Sequence, residues 1–255
     1  MSQSSWDLRI ARAGELAKKN AAVSELLEFY QRLARFQKRV YQAVESSADH
    51  DIAILPRHFP ALLALIQEAG SPALKESARA LEEASPEERL DLLTAFWQHE
   101  VALDQLPPEY GFFAHALLQP YAQYLAERAQ ASTEASPPLC PFCGSKPQLA
   151  VLRPEGDGGK RFLLCSLCGT EWFFRRLLCP NCAEENKDRL PVFTAAEFDY
   201  VRLDACDTCH TYIKSIDLTK NGKAVPVVDE LATVSLNMWA KEHNYQKVHP
   251  NLFGV

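Results

Sequence analysis

Four Cys-x-x-Cys pairs constrain this chain more than any other feature. They are Cys140/Cys143, Cys165/Cys168, Cys179/Cys182 and Cys206/Cys209, and they hold all eight cysteines of the 255 residues. The opening stretch MSQSSWDLRIARAGELAKKN lacks an apolar signal core and a cleavage site, which predicts a cytoplasmic protein. In a reducing compartment such pairs read as metal ligands before disulfides. Two thiolates two residues apart hold one ion from a tight turn whose amides face the sulfurs. A second turn, brought alongside by a hairpin, completes a tetrahedron.

The intervals favour two sequential sites. Between Cys143 and Cys165 lie 21 residues, and between Cys182 and Cys206 lie 23, each enough for a two-stranded excursion. Cys140, Cys143, Cys165 and Cys168 are therefore assigned to site one. Cys179, Cys182, Cys206 and Cys209 are assigned to site two. A nested arrangement, outer pairs on one ion and inner pairs on another, is the alternative. Thioredoxin-like dithiol chemistry fits less well, because that motif occurs once, where a strand meets a helix. Tetrahedral sulfur suits zinc or a single iron. Cys140-Pro-Phe-Cys-Gly has the form of a rubredoxin knuckle. Gly169 repeats the glycine, which permits a positive φ. Site two departs, with Ala183 and His210 after its second cysteines. His210 is read as a neighbour of that site and not as a ligand. His99, His115 and Glu100 show no ligand spacing and are read as ordinary residues of helices.

The cysteines also divide the chain. Residues 1–130 contain none and follow helical periodicity, from Leu26 to Val44 above all. Pro60 and Gly70 bound a short helix, and Ser71-Pro72 opens another. Ser85-Pro86-Glu87-Glu88 is a capping box for a helix carrying Leu90, Leu93, Phe96, Trp97 and Val101. A last helix runs from Pro108 to about Ala131, with a kink expected at Pro120. These make a bundle of about five helices. ASTEASPP (131–138) is a linker. Two similar halves follow, 139–178 and 179–222, each with two knuckles, a hairpin and an aromatic strand; EWFFRRLLC is the expected third strand. Residues 223–255 supply one amphipathic helix and a tail. The expected class is α+β: an N-terminal helical bundle, two small rubredoxin or zinc-ribbon-like β modules and a C-terminal helix.

Charge bears on partners. The formal net charge is −6, with no run of 18 apolar residues, so nothing predicts membrane insertion. Residues 139–220 hold 11 Lys+Arg and 11 Asp+Glu. Each four-thiolate site with a divalent ion adds about −2, which repels phosphates. Arg175 and Arg176 are accordingly read as supports for the thiolates or as solvated strand residues, and no nucleic acid is expected. Glycine-rich phosphate loops, open zinc motifs and nucleophile elbows are missing, so the chain is not expected to be an enzyme. A homodimer is compatible with the sequence.

The motifs in order are Cys140-Pro-Phe-Cys-Gly, Cys165-x-x-Cys-x-x-Glu-Trp172, Arg175, Cys179-x-x-Cys, and Cys206-Asp-x-Cys-x-x-Tyr212-Ile-Lys. With the later VVDELATVSLN, this order resembles the formate dehydrogenase accessory protein family, FdhE. The resemblance implies a maturation factor that is not itself catalytic. Such a factor would bind the catalytic subunit of a respiratory formate dehydrogenase before export. It also implies two rubredoxin-type centres, with iron favoured and zinc the alternative. A rubredoxin-type electron carrier and a zinc-ribbon nucleic-acid adaptor are the competing readings.

Overall fold

The structure is a computed structural model describing residues 4–99, 108–129, 137–156 and 158–254. Serines start its helices. Ser4 caps α1 (Ser5–Lys19), Ser71 caps α4 (Pro72–Glu83) and Ser85 caps α5 (Pro86–Trp97). The predicted capping box is present: Glu88 N donates to Ser85 Oγ at 3.1 Å and Ser85 N to Glu88 Oε2 at 2.7 Å. The longest helix, α2 (Ser24–Glu45), presents Leu27, Leu33, Phe36, Val40 and Val44 to the interior at helical spacing. Helices α3 (Phe59–Ala69) and α6 (Pro108–Arg128) complete six among the described residues before the cysteines. The sixth, unforeseen, is α1. Val101, Glu100 and Ala131 lie outside the described residues.

Helix α6 runs through Pro120 as one element. A proline cannot donate to the carbonyl four residues back. Gln37, buried on α2, takes that carbonyl instead, donating to Ala116 O at 3.2 Å.

The second half of the chain is a sheet in the order β3-β2-β1-β6-β5-β4. Its strands are β1 (Pro147–Glu155), β2 (Gly158–Cys165), β3 (Glu171–Phe173), β4 (Val192–Thr194), β5 (Val201–Cys206) and β6 (Thr211–Asp217). β1-β2-β3 and β4-β5-β6 are two antiparallel meanders of the same plan. The expected third strand stops at Phe173, because the next residues cross from one meander to the other. The meanders meet through a parallel ladder, Ala150 opposite Ser215 and Leu152 opposite Asp217. A short β7 (Gln246–Lys247) adds to β6.

One sheet face, with Leu149, Val151, Leu164, Val201 and Ile216, forms a core with Val227 and Leu236. The other contributes Ala150, Leu163, Trp172 and Ile213 to the bundle's own core, which is continuous from Val44 through Phe113 to Cys165. The helix expected after Val225 is two helices, α7 (Pro226–Ala232) and α8 (Val234–Glu242). They break at Thr233, whose carbonyl accepts from the buried Lys214 Nζ at 2.9 Å. Helix α7 ties the molecule together. Asp229, fully buried, accepts from Arg12 of α1 at 3.1 and 2.6 Å. Beside it, buried Glu230 lies 3.2 Å from Lys214 Nζ and 2.5 Å from Lys247 Nζ.

Candidate metal centres

Each site uses two knuckles, one before the first strand of its meander and one at the turn between the second and third strands. At site one, Sγ of Cys140 lies 3.5 Å from that of Cys168. Cys143 Sγ lies 3.4 Å from Cys165 and 3.5 Å from Cys168. At site two, Cys179 is 3.7 Å from Cys209 and Cys182 is 3.7 Å from Cys206. In each group all four sulfurs lie within 4.8 Å of one another. The pairs thus come together sequentially, not nested.

The knuckles have the same backbone in both sites. Gly144 N donates to Cys140 O and Ala183 N to Cys179 O, each at 3.0 Å. Amides turn toward sulfur, Leu167 N to Cys165 Sγ at 3.4 Å and Asn181 N to Cys179 Sγ at 3.4 Å. Thr170 and Thr211 place hydroxyls 3.1 Å from Cys168 and Cys209 Sγ. The residue after each second cysteine is left-handed: Gly144 at φ 72°, Gly169 at 71°, Ala183 at 60° and His210 at 53°. Site two therefore keeps the knuckle conformation without its glycines, at a steric cost. His210 is exposed and lies outside the sulfur group.

The donor set fits a tetrahedral ion. With metal–sulfur bonds of about 2.3 Å, a tetrahedron has sulfur–sulfur edges of about 3.8 Å. The 3.7 Å separations of site two match that edge, and site one is slightly tighter. Crowding splits the thiols of site one. Hydrogen bonds from Cys140, Cys165 and Cys168 hold Cys143 far below the ordinary thiol range. Contact with Cys140 and Cys143 drives Cys165 above it. A cation removes that conflict by accepting all four as thiolates. Two such groups could hold two metal ions, and neither leaves a coordination position for substrate.

The surroundings differ. Cys140, Cys165 and Cys168 belong to the main core, and helices lean on site one. Gln119 Nε2 donates to Ser166 O at 2.9 Å, and His99 Nε2 lies 2.9 Å from Cys143 O. His99 is thus not an ordinary helix residue. It follows α5 in a left-handed conformation, φ 56°, and touches the first knuckle. His115 stays in the bundle, edge-on to Phe96. Site two has Cys179 and Cys206 buried, Cys209 half-buried and Cys182 exposed. Its knuckles are bridged by Thr208 Oγ1 donating to Glu184 Oε2 at 2.6 Å.

Arg175 and Arg176 are exposed, paired with Glu185 and Gly159 O respectively. A buried arginine beside the thiols of site two is one that sequence reasoning passed over. Arg161 is buried beside Cys179 and the Cys179–Cys206 wall, where strand periodicity alone gave it no distinction. Asp229 and Glu230 were visible only as part of a motif.

Comparison with known proteins bears on the same residues. The FdhE central-domain model matches residues 139–176 and the FdhE C-terminal-domain model matches 177–253. A Protein FdhE homolog of Aquifex aeolicus is 35% identical over 209 residues, 81% of this chain and 72% of that protein. Protein FdhE of Escherichia coli K12 is 30% identical over 280 residues, 97% of this chain and 88% of that one. The crystal structure of the FdhE protein from Pseudomonas aeruginosa superposes with a TM-score of 0.75 at 25% identity, covering 100% of this chain and 98% of its own. With this likeness running through the bundle, both meanders and α7, the chain belongs to the FdhE family.

Proposed function

We propose that this protein is a cytoplasmic, non-catalytic maturation factor that binds the catalytic subunit of a respiratory formate dehydrogenase before its export. The observation that carries the reading is the use of all eight thiols in two closed groups, in a chain of the FdhE family. Such sites hold a surface in shape and do not turn over a substrate. The eight cysteines are the ligands of two metal ions, iron by family likeness and zinc as the alternative. The metals fold small β meanders that lack large cores of their own. Among the described residues no helix is long and apolar enough to cross a membrane.

Two experiments test this reading. A strain deleted for the protein should lose formate dehydrogenase activity and recover it on complementation; normal activity in the deletion overturns the proposal. The tagged protein should retain the catalytic subunit while that subunit still carries its export signal. Metal analysis of protein purified without oxygen settles the ion. Two irons with a red colour that bleaches on reduction indicate rubredoxin-type centres, and two zincs without colour indicate structural ones.

A further inference from the structure

Alternation along the strands puts Arg161 of β2, Arg202 and Asp204 of β5 and Ser215 of β6 on the same sheet face. Two strands separate β2 from β5 in pairing order, yet sheet twist brings their side chains together. Arg161 Nη2 lies 3.3 Å from Asp204 Oδ2, and Arg202 Nε lies 2.9 Å from Asp204 Oδ1. The segment 174–180 crosses above them. A cleft of about 200 Å³, partly open to solvent, remains between this crossover and the sheet, with Cys179 and Cys206 in one wall.

The cleft floor is cationic and incompletely paired. Arg161 is 2% exposed and donates through Nη1 to Arg175 O and Leu178 O at 3.2 Å. Its Nε has no hydrogen-bond partner among the described residues. A buried N–H left so is costly, and native interiors rarely tolerate it. Arg202 lines the same cleft and shares the one carboxylate, Asp204, with Arg161, while Arg176 lines it from the crossover and donates to Gly159 O. Burial lowers the pKa of Arg161 although Asp204 favours its charge, and Arg202 and Arg176 lower it further. The lip is apolar. Leu177 is 57% exposed and Val192 53%, two of the five large apolar side chains that stand most exposed.

We propose that this cleft binds a carboxylate carrying an apolar group, with the carboxyl held between the Arg161–Arg202 floor and Arg176 of the crossover, and the apolar part between Leu177 and Val192. Guanidinium forks match carboxylate geometry, and the enclosure keeps their hydrogen bonds strong. A free branched-chain acid and an acidic side chain beside an apolar residue offer the same chemistry. The site stands apart from the maturation reading and does not depend on it. The other employment for these arginines is to balance the charge of site two, and the test separates the two.

The experiment is calorimetric titration of the metal-loaded full chain with isovalerate, acetate, acetyl-leucyl-glutamate amide and chloride. Isovalerate should saturate and bind more tightly than acetate, with chloride failing to compete. Arg202→Gln and Arg176→Gln should each weaken binding about tenfold while two metals per chain are retained. Leu177→Ser should remove the preference for isovalerate over acetate. The peptide binding more tightly than isovalerate assigns the site to a protein partner, and the reverse assigns it to a small acid. No saturable binding of any carboxylate, or equal competition by chloride, overturns the proposal. Arginine variants that lose the metal of site two while carboxylate affinity stays the same overturn it in favour of charge balance.

Discussion

Gln37 occupies the carbonyl of Ala116 that Pro120 leaves without a helical donor, and it reaches further than that repair. The same Nε2 lies 3.0 Å from Gln119 Oε1, and Gln119 Nε2 donates to Ser166 O in the second knuckle of site one. A break in the α6 ladder thus becomes a bridge from the bundle to the thiols. Gln37→Leu should cost about 1–3 kcal/mol, because a buried carbonyl loses its donor. Pro120→Ala in that background returns an N–H to Ala116. Denaturant melts of the two single variants and the double should show coupling of about 0.5–3 kcal/mol, and strictly additive effects would refute the link.

Arg12 and Asp229 close the chain on itself. Asp229 also accepts from Tyr200 Oη at 2.8 Å and from Val225 N at 2.7 Å, so its carboxylate is fully engaged. Asp229→Asn leaves a guanidinium 9% exposed without its buried counter-charge, with only the more exposed Glu15, 2.9 Å from Nη1, still paired to it. The expected loss is about 3–5 kcal/mol. Hydrogen exchange should show α1 amides deprotected before those of α2, and unchanged exchange in α1 would contradict the assignment.

Left-handed alanine and histidine residues carry a steric cost that glycine does not. Ala183→Gly and His210→Gly should each stabilise the metal-loaded protein by about 1–2 kcal/mol. Gly144→Ala and Gly169→Ala should do the opposite at site one. Thermal melts of the four variants decide the matter. A gain of stability at Gly144→Ala would show that the φ of 72° is not required there.

Burial makes the two centres unequal. Three cysteines of site one are buried in the main core, whereas Cys182 of site two is exposed. A chelator should remove metal in two phases, the faster from site two. Iodoacetamide followed by peptide mass mapping should find Cys182 modified first. Single-phase release with uniform labelling would remove the distinction.

Protonation of His115 opposes folding. Burial and the nearby His99 lower its pKa from 6.5 to about 4. The folded value lies below the unfolded one, so between about pH 4 and 6.5 the unfolded chain holds the extra proton. Stability therefore rises with pH across that window, and it is lost as pH falls from 6.5 toward 4. His249, held at about 4 chiefly by burial, adds in the same sense. His115→Gln should flatten the slope of unfolding free energy by nearly one proton at about pH 5, falling to about half a proton at about pH 6.5. An unchanged slope in urea melts would exclude His115 as a source.

Thiol spacing is local chemistry, so the knuckles and the hairpins between them could be read from residues alone, whereas the choice of sequential over nested pairing needed the fold. What escaped depends on distant partners. The buried face of α1 is Trp6, Arg12, Ala13 and Ala17, too small and too charged to look like a core stripe. Arg12 makes sense only beside Asp229, 217 residues away. Likewise His99 has no ligand spacing, yet it meets Cys143 across 44 residues. The break at Thr233 comes from Lys214, which reaches over from β6. The parallel ladder between β1 and β6 leaves no periodic mark at all.

That ladder has a consequence for growth. It sets the first strand of one meander against the third strand of the other, a heterologous joint and not a two-fold one. Joints of that kind do not close; each added unit presents the same free margin again, as in a fibre. The free margins here are β3 and β4, and each is only three residues long. Short margins offer too few backbone groups to recruit another strand. Brevity at the edges, rather than symmetry, is what halts accretion at two units.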